Sequence, residues 1–131
     1  FSPIIGKGEA DVIVAFEKME ALRWLEYLKP GGRMVINDFE IPSVPILMGA
    51  ATYPKDVLSE LSSKAAVSVC KAAEIAAELG GAKVMNVVLL GALVKALDMD
   101  DIDWKAMIAK NVKKDFAALN ERAFEEGMHR I

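Results

Sequence analysis

The side chains best equipped for chemistry in this chain are few, and none of them has an obvious companion. The single histidine, His129, lies two residues from the end, and the single cysteine, Cys70, closes the short apolar run Ala66 to Cys70. An iron–sulfur cluster or a structural zinc needs about four suitable ligands. No metal ligand is therefore assigned, and with no base beside a nucleophile, no catalytic residue either. Cys70 reads as a packed core thiol, because free cysteine behaves as a small buried hydrophobe. Gly6-Lys7-Gly8 resembles the opening of a phosphate loop. However, Asp11 stands where the third glycine of the dinucleotide pattern belongs, and the loop precedes a strand instead of joining a strand to a helix. It reads as a plain turn.

Binding is a better fit than catalysis for the remaining polar candidates. Glu17 directly follows an apolar strand, where open α/β sheets place ligand-contacting residues. The preferred reading is nevertheless a solvated helix-start glutamate, since acidic groups are favoured near a helix N-terminus. Asn37 and Asp38 end a second strand on the same edge, although turn-forming Asn and Asp are common after strands. Asn86 opens an otherwise apolar helix and Asn120 interrupts another. A buried amide without partners costs about 1–3 kcal/mol, so both are expected to pin helices together or to a loop. Glu17, Asn37 and Asn86 are the candidates for contact with a partner or a cofactor.

The elements that would position these residues follow from the apolar pattern. Asp11 to Phe16 is β-branched and apolar on both alternating faces, as expected of a central parallel strand. Met19, Leu22, Leu25 and Leu28 recur at three-residue intervals and predict an amphipathic helix from Lys18 to Leu28, ended by Lys29-Pro30-Gly31-Gly32. Met34 to Asn37 is the next strand, completing a right-handed βαβ unit. Ile41 to Pro54 holds three of the five prolines and predicts a loop, with a helical turn around Ile46 to Ala50. A helix over Lys55 to Ser63 and a strand over Ala66 to Cys70 follow. The rest is helical: Ala72 to Leu79 closed by Gly80-Gly81, Val84 to Leu97, Trp104 to Val112, and Asp115 to Glu126 stopped by Gly127. The fold class is α/β: three αβα layers around a mostly parallel, Rossmann-like sheet, with a helical C-terminal portion.

At 131 residues the chain suits one domain, residues 1–131, with a single sizeable core. A hydrophobic content of 53% favours membership of an oligomer or complex. The net charge of -3, with both signs interspersed, gives no basic stripe for nucleic acid. Val84 to Leu97, the most lipid-like stretch, contains Asn86 and Lys95 and falls short of the roughly 20 apolar residues of a membrane span. A lone cysteine and no signal-like opening point to the cytoplasm. The start at Phe1-Ser2-Pro3 suggests an interior point of a longer gene product.

Two resemblances bear on function. Asp11 to Asp38, with Leu28-Lys29-Pro30-Gly31-Gly32 before a strand, resembles the middle of a methyltransferase that uses S-adenosylmethionine. The following sequence supplies helices instead of that fold's closing strands. The second covers nearly the whole chain: Phe1 to Ile5, Gly8 to Asp11, Phe16-Glu17, Glu20-Ala21, Leu28 to Gly32, Asn86 to Ala92 and Asn120 to Phe124. In order and spacing these are similar to the gamma-type domain of the 2-oxoacid:ferredoxin oxidoreductases, and most to the beta subunits of the branch that uses indolepyruvate. The chain matches the later two thirds of that domain. The resemblance implies a noncatalytic part of a complex that decarboxylates a 2-oxoacid, indolepyruvate or another arylpyruvate, to an acyl-coenzyme A. It places thiamine diphosphate and the iron–sulfur clusters on partner subunits, makes ferredoxin the electron acceptor, and leaves room for a contribution to coenzyme A binding here. The methyltransferase fragment is the alternative.

Overall fold

In a computed structural model, which describes residues 4 to 131, the chain divides between Val67 and Ser68 into two units. The first is organised by two parallel strands, β1 (Ala10–Ala15) and β2 (Leu28–Asn37), with Val12 opposite Arg33 and Ala15 opposite Ile36. Helix α1 (Lys18–Trp24) and a short 3-10 turn, Leu25–Tyr27, make the connection between them. Ala21, Met34, Ile36 and Leu61 are almost wholly buried and form the core of this unit together with Ala15 and Val57. Each of the larger side chains contributes about 1.5–3 kcal/mol by leaving water. Helices α2 (Val44–Leu47) and α3 (Val57–Lys64) follow, and β3 (Ala66–Cys70) begins at the end of the unit. The strand order is β1-β2-β3.

The structure corrects the sequence expectation in several places. The first helix stops at Trp24 instead of Leu28, and Lys29-Pro30-Gly31-Gly32 belongs to β2 instead of forming a separate turn. The register passes from Ala10 opposite Leu28 to Val12 opposite Arg33, so these four residues bulge out of the ladder. Pro30, with no N–H to donate, is suited to that position. The expected central strand, β1, stands at the end of the described strand order, and β2 takes the middle. The burial agrees: Met34 to Asn37 are buried on both faces, whereas Val12 to Val14 are only half-buried. The helical turn in the loop starts at Val44, earlier than expected, because Ser43 and Pro45 supply a helix start. Gly6-Lys7-Gly8 is a turn: Glu9 N–H donates to the Gly6 carbonyl, and Lys7 pairs with Glu26.

The second unit is helical beyond β3: α4 (Ala72–Glu78), α5 (Met85–Ala96), α6 (Trp104–Asn111) and α7 (Ala117–His129). Gly80, at a φ of 80°, closes α4 as the sequence predicts. Gly127 does not stop the last helix, which runs through it to His129. It sits instead where α7 crosses α5, and a Cβ there would fall within 3.0 Å of the Val88 carbonyl. Gly91 of α5 faces the Phe124 carbonyl just as closely. Two glycines thus let the helix backbones touch. Val94, Ile108 and Phe124 form the core of this unit, and the Trp104 ring leans on Phe124 at 6.2 Å. Cys70 is fully buried, and burial pushes its thiol up to about 11 against a small opposing effect of Arg130. No helix of the described residues is long and apolar enough to cross a membrane.

Candidate functional site

Parallel pairing brings the carboxyl ends of β1 and β2 to one edge, where the sequence places Glu17, Asn37 and Asp38. Glu17 caps α1: its extended backbone leaves the helix, and its Oε1 accepts the Glu20 N–H at 2.5 Å. Its Oε2 accepts the Tyr53 hydroxyl at 2.6 Å and the Ile41 N–H at 3.4 Å. The Tyr53 oxygen in turn accepts the Met19 N–H at 3.0 Å. Only 5% of Glu17 is exposed, so it is not the solvated carboxylate of the first reading. Burial by itself would raise its pKa, but the bonds from Tyr53 and from the backbone of Glu20, Met19 and Ile41 outweigh that and hold it below the usual value. Desolvation first, and the Glu17 carboxylate second, push the Tyr53 phenol well above its usual range.

The rest of the edge is equally engaged. Asn37 is fully buried, and its Nδ2 donates to the Phe16 carbonyl at 3.1 Å. Lys18 lies 3.3 Å from Asp38 and 2.7 Å from Glu40, and its hydrogen bond to Glu40 raises its pKa against the cost of partial burial. A surface cavity of about 500 Å³ opens beside Lys18, Glu40, Tyr53 and Lys55. A slightly larger one, about 530 Å³, lies along the β2 bulge, where Lys29 and Lys64 are already paired with Asp11 and Glu60. At the carboxyl edge an ionised, fully hydrogen-bonded carboxylate faces a protonated phenol. Neither has a proton to exchange without breaking the network. The edge positions a loop.

Residues next to this network in sequence also expose apolar side chains. Phe16, Phe39, Ile41, Val44, Leu47 and Met48 are all exposed, Met48 to 79%. Tyr53 and Lys18 were not among the sequence candidates. The only signal for Tyr53 was a lone aromatic in a proline-rich loop. Asn86 belongs to the second unit and is exposed, its Oδ1 accepting the adjacent Val87 N–H at 3.0 Å, so it is not a buried pin. Asn120 is buried, yet its Nδ2 bonds to the Phe116 carbonyl one turn earlier, at 2.9 Å, and not to another helix.

Residues 2–130 match the family model described as pyruvate ferredoxin/flavodoxin oxidoreductase. The chain belongs to this family. Indolepyruvate oxidoreductase subunit IorB of Thermococcus kodakarensis is 36% identical over 98% of the chain, and the corresponding subunit of Methanothermobacter thermautotrophicus is 30% identical over 95%. The chain spans 66% of the length of each of these two relatives. Among solved structures, the gamma subunit of keto/oxoacid ferredoxin oxidoreductase from Geobacter sulfurreducens superposes with a TM-score of 0.66 at 20% identity, over 95% of this chain and 66% of that one. A 2-oxoglutarate:ferredoxin oxidoreductase from Magnetococcus marinus, with 2-oxoglutarate, coenzyme A and succinyl-CoA bound, gives 0.61 at 21% identity over 96% of this chain and 20% of that one. These likenesses show the fold, an αβα arrangement of the expected class.

Membership of the oxidoreductase family removes the methyltransferase alternative. Iron–sulfur ligation does not fit the side chains present. Among the described residues no three His, Cys, Asp or Glu groups are placed to hold a metal, and the buried Cys70 thiol is far from ionising at neutral pH.

Proposed function

We propose that this chain is a noncatalytic part of a 2-oxoacid:ferredoxin oxidoreductase that acts on indolepyruvate or a related arylpyruvate in the cytoplasm. Its partners carry thiamine diphosphate and the iron–sulfur clusters, an acyl-coenzyme A is the product and ferredoxin the acceptor. One observation carries the reading within the family. The carboxyl edge is closed to chemistry by its own hydrogen bonds, yet it holds out a loop whose apolar side chains, from Ile41 to Met48, lie in water. Apolar surface of that kind marks a contact with another protein. Glu17 and Asn37 act through the backbone they hold. Asn86, exposed at the start of α5, is available for a direct contact with a partner or with coenzyme A.

The test is anaerobic purification of the complex from its native host, with ferredoxin reduction measured on indolepyruvate, pyruvate and 2-oxoglutarate. Co-purification of this polypeptide with a thiamine diphosphate and iron–sulfur subunit, and arylpyruvate-dependent reduction, is the expected result. A holocomplex that lacks the polypeptide overturns the proposal. Leu47→Asp together with Met48→Asp, two exposed changes, is expected to weaken assembly at least tenfold by placing charges in the apolar contact.

A further inference from the structure

The second unit contains a cavity of about 380 Å³ near the end of α4 and the start of α7. That volume falls in the range of small-molecule sites, roughly 300–1,000 Å³. Its lining is of three chemical kinds. Val112, Phe116 and Leu119 give it an apolar wall, with the Phe116 side of the wall open to water. Asn120 is 8% exposed, and its bond to the Phe116 carbonyl fixes the amide orientation, because only the NH₂ end can donate there. Its Oδ1 accepts no hydrogen bond from the described residues. Among those residues no fully sealed polar side-chain atom lacks a partner, so Oδ1 is reachable, and Asn120 lines the cavity.

Lys83 and Lys113 complete the lining. Both are exposed, and neither pairs with a carboxylate among the described residues. No acidic residue lines the cavity. An apolar wall, an idle acceptor and two uncommitted ammonium groups describe the complement of one class of molecule. We propose that this cavity binds a small aromatic carboxylate: its ring lies on Phe116 and Leu119, its N–H or O–H donates to Asn120 Oδ1, and its carboxylate is held by Lys83 and Lys113. The cavity belongs to the second unit and the carboxyl edge described above to the first.

Three probes separate the contacts in calorimetric titrations of the full-length protein. Indole-3-acetate offers ring, donor and charge; 1-naphthylacetate lacks the donor; indole-3-ethanol lacks the charge. Indole-3-acetate is expected to bind in the millimolar range or tighter, and the other two about fivefold to tenfold more weakly. Lys83→Glu with Lys113→Glu, both on the surface, should weaken indole-3-acetate about tenfold and leave indole-3-ethanol unchanged. Absence of saturable binding at millimolar concentration, equal affinity for all three probes, or indifference to the lysine changes overturns the proposal. So does binding that the isolated protein shows and the assembled complex loses, since the cavity is then the seat of a partner's acidic side chain.

Discussion

The carboxyl edge of the first unit and the helical cavity of the second hold the same kinds of groups in opposite states. At the edge, Glu17 and Tyr53 bond to each other and to nearby backbone, Asn37 bonds to backbone, and Lys18 pairs with Glu40. In the cavity, Asn120 Oδ1, Lys83 and Lys113 have no such partners among the described residues. A polar group already satisfied by its own chain serves to hold that chain in place, whereas one left open is offered to another molecule. The two units also differ in how they are held. The first relies on a hydrogen-bonded loop over a sheet, the second on helices whose backbones meet at Gly91 and Gly127.

The most damaging change should therefore be the smallest one, a methyl group at the helix crossing. Gly127→Ala places a Cβ against the Val88 carbonyl, which is backbone and cannot turn aside, and about 3 kcal/mol of stability is expected to be lost. Gly91→Ala acts on the facing helix in the same way. Urea unfolding of each variant checks the point, and an unchanged midpoint would mean that the helices do not approach as closely as described.

Breaking the polar edge should cost somewhat less. Glu17→Ala removes the cap of α1 and strands the Tyr53 hydroxyl, for about 2–3 kcal/mol, whereas Tyr53→Phe removes one hydrogen bond for about 1 kcal/mol. The two losses should not add, because both act on one bond. The edge also has a pH signature. The folded-state pKa of Glu17 is depressed, so its contribution is fully present above the ordinary value of 4.5 and is lost as pH falls through the lower folded value. The stability gap between the native protein and Glu17→Gln should be constant near neutrality and narrow below about pH 4.5. A gap independent of pH would show that Glu17 is not ionised in the fold.

The fold and the edge were legible in the sequence wherever a local rule governs. A continuous β-branched apolar run marked β1, and the end of a parallel strand marked where Glu17, Asn37 and Asp38 would gather. Tyr53 was not legible, because its bond to Glu17 spans 36 residues and crosses a loop with no periodicity. Gly127 was misread for a related reason. A glycine near a helix end looks the same in sequence whether it stops the helix or admits another backbone, and only the packing against Val88 distinguishes the two. Lys29 to Gly32 reads as a helix stop for the same cause, and the bulge appears only once β1 is alongside.

Asn86 is where the contrast between satisfied and open groups can be sharpened with the least disturbance. Its side chain is exposed and accepts a neighbouring N–H, so Asn86→Ala should change stability by less than about 0.5 kcal/mol. An open amide on a surface facing a partner behaves otherwise in assembly, because the partner's group is left unpaired when it is removed. A loss of fivefold or more in affinity for the partner subunit or coenzyme A, with the unfolding midpoint unmoved, would place Asn86 with the open groups of the cavity. Unchanged affinity would make it an ordinary solvated residue at the start of α5, and the second unit's recognition chemistry would then rest on Asn120, Lys83 and Lys113.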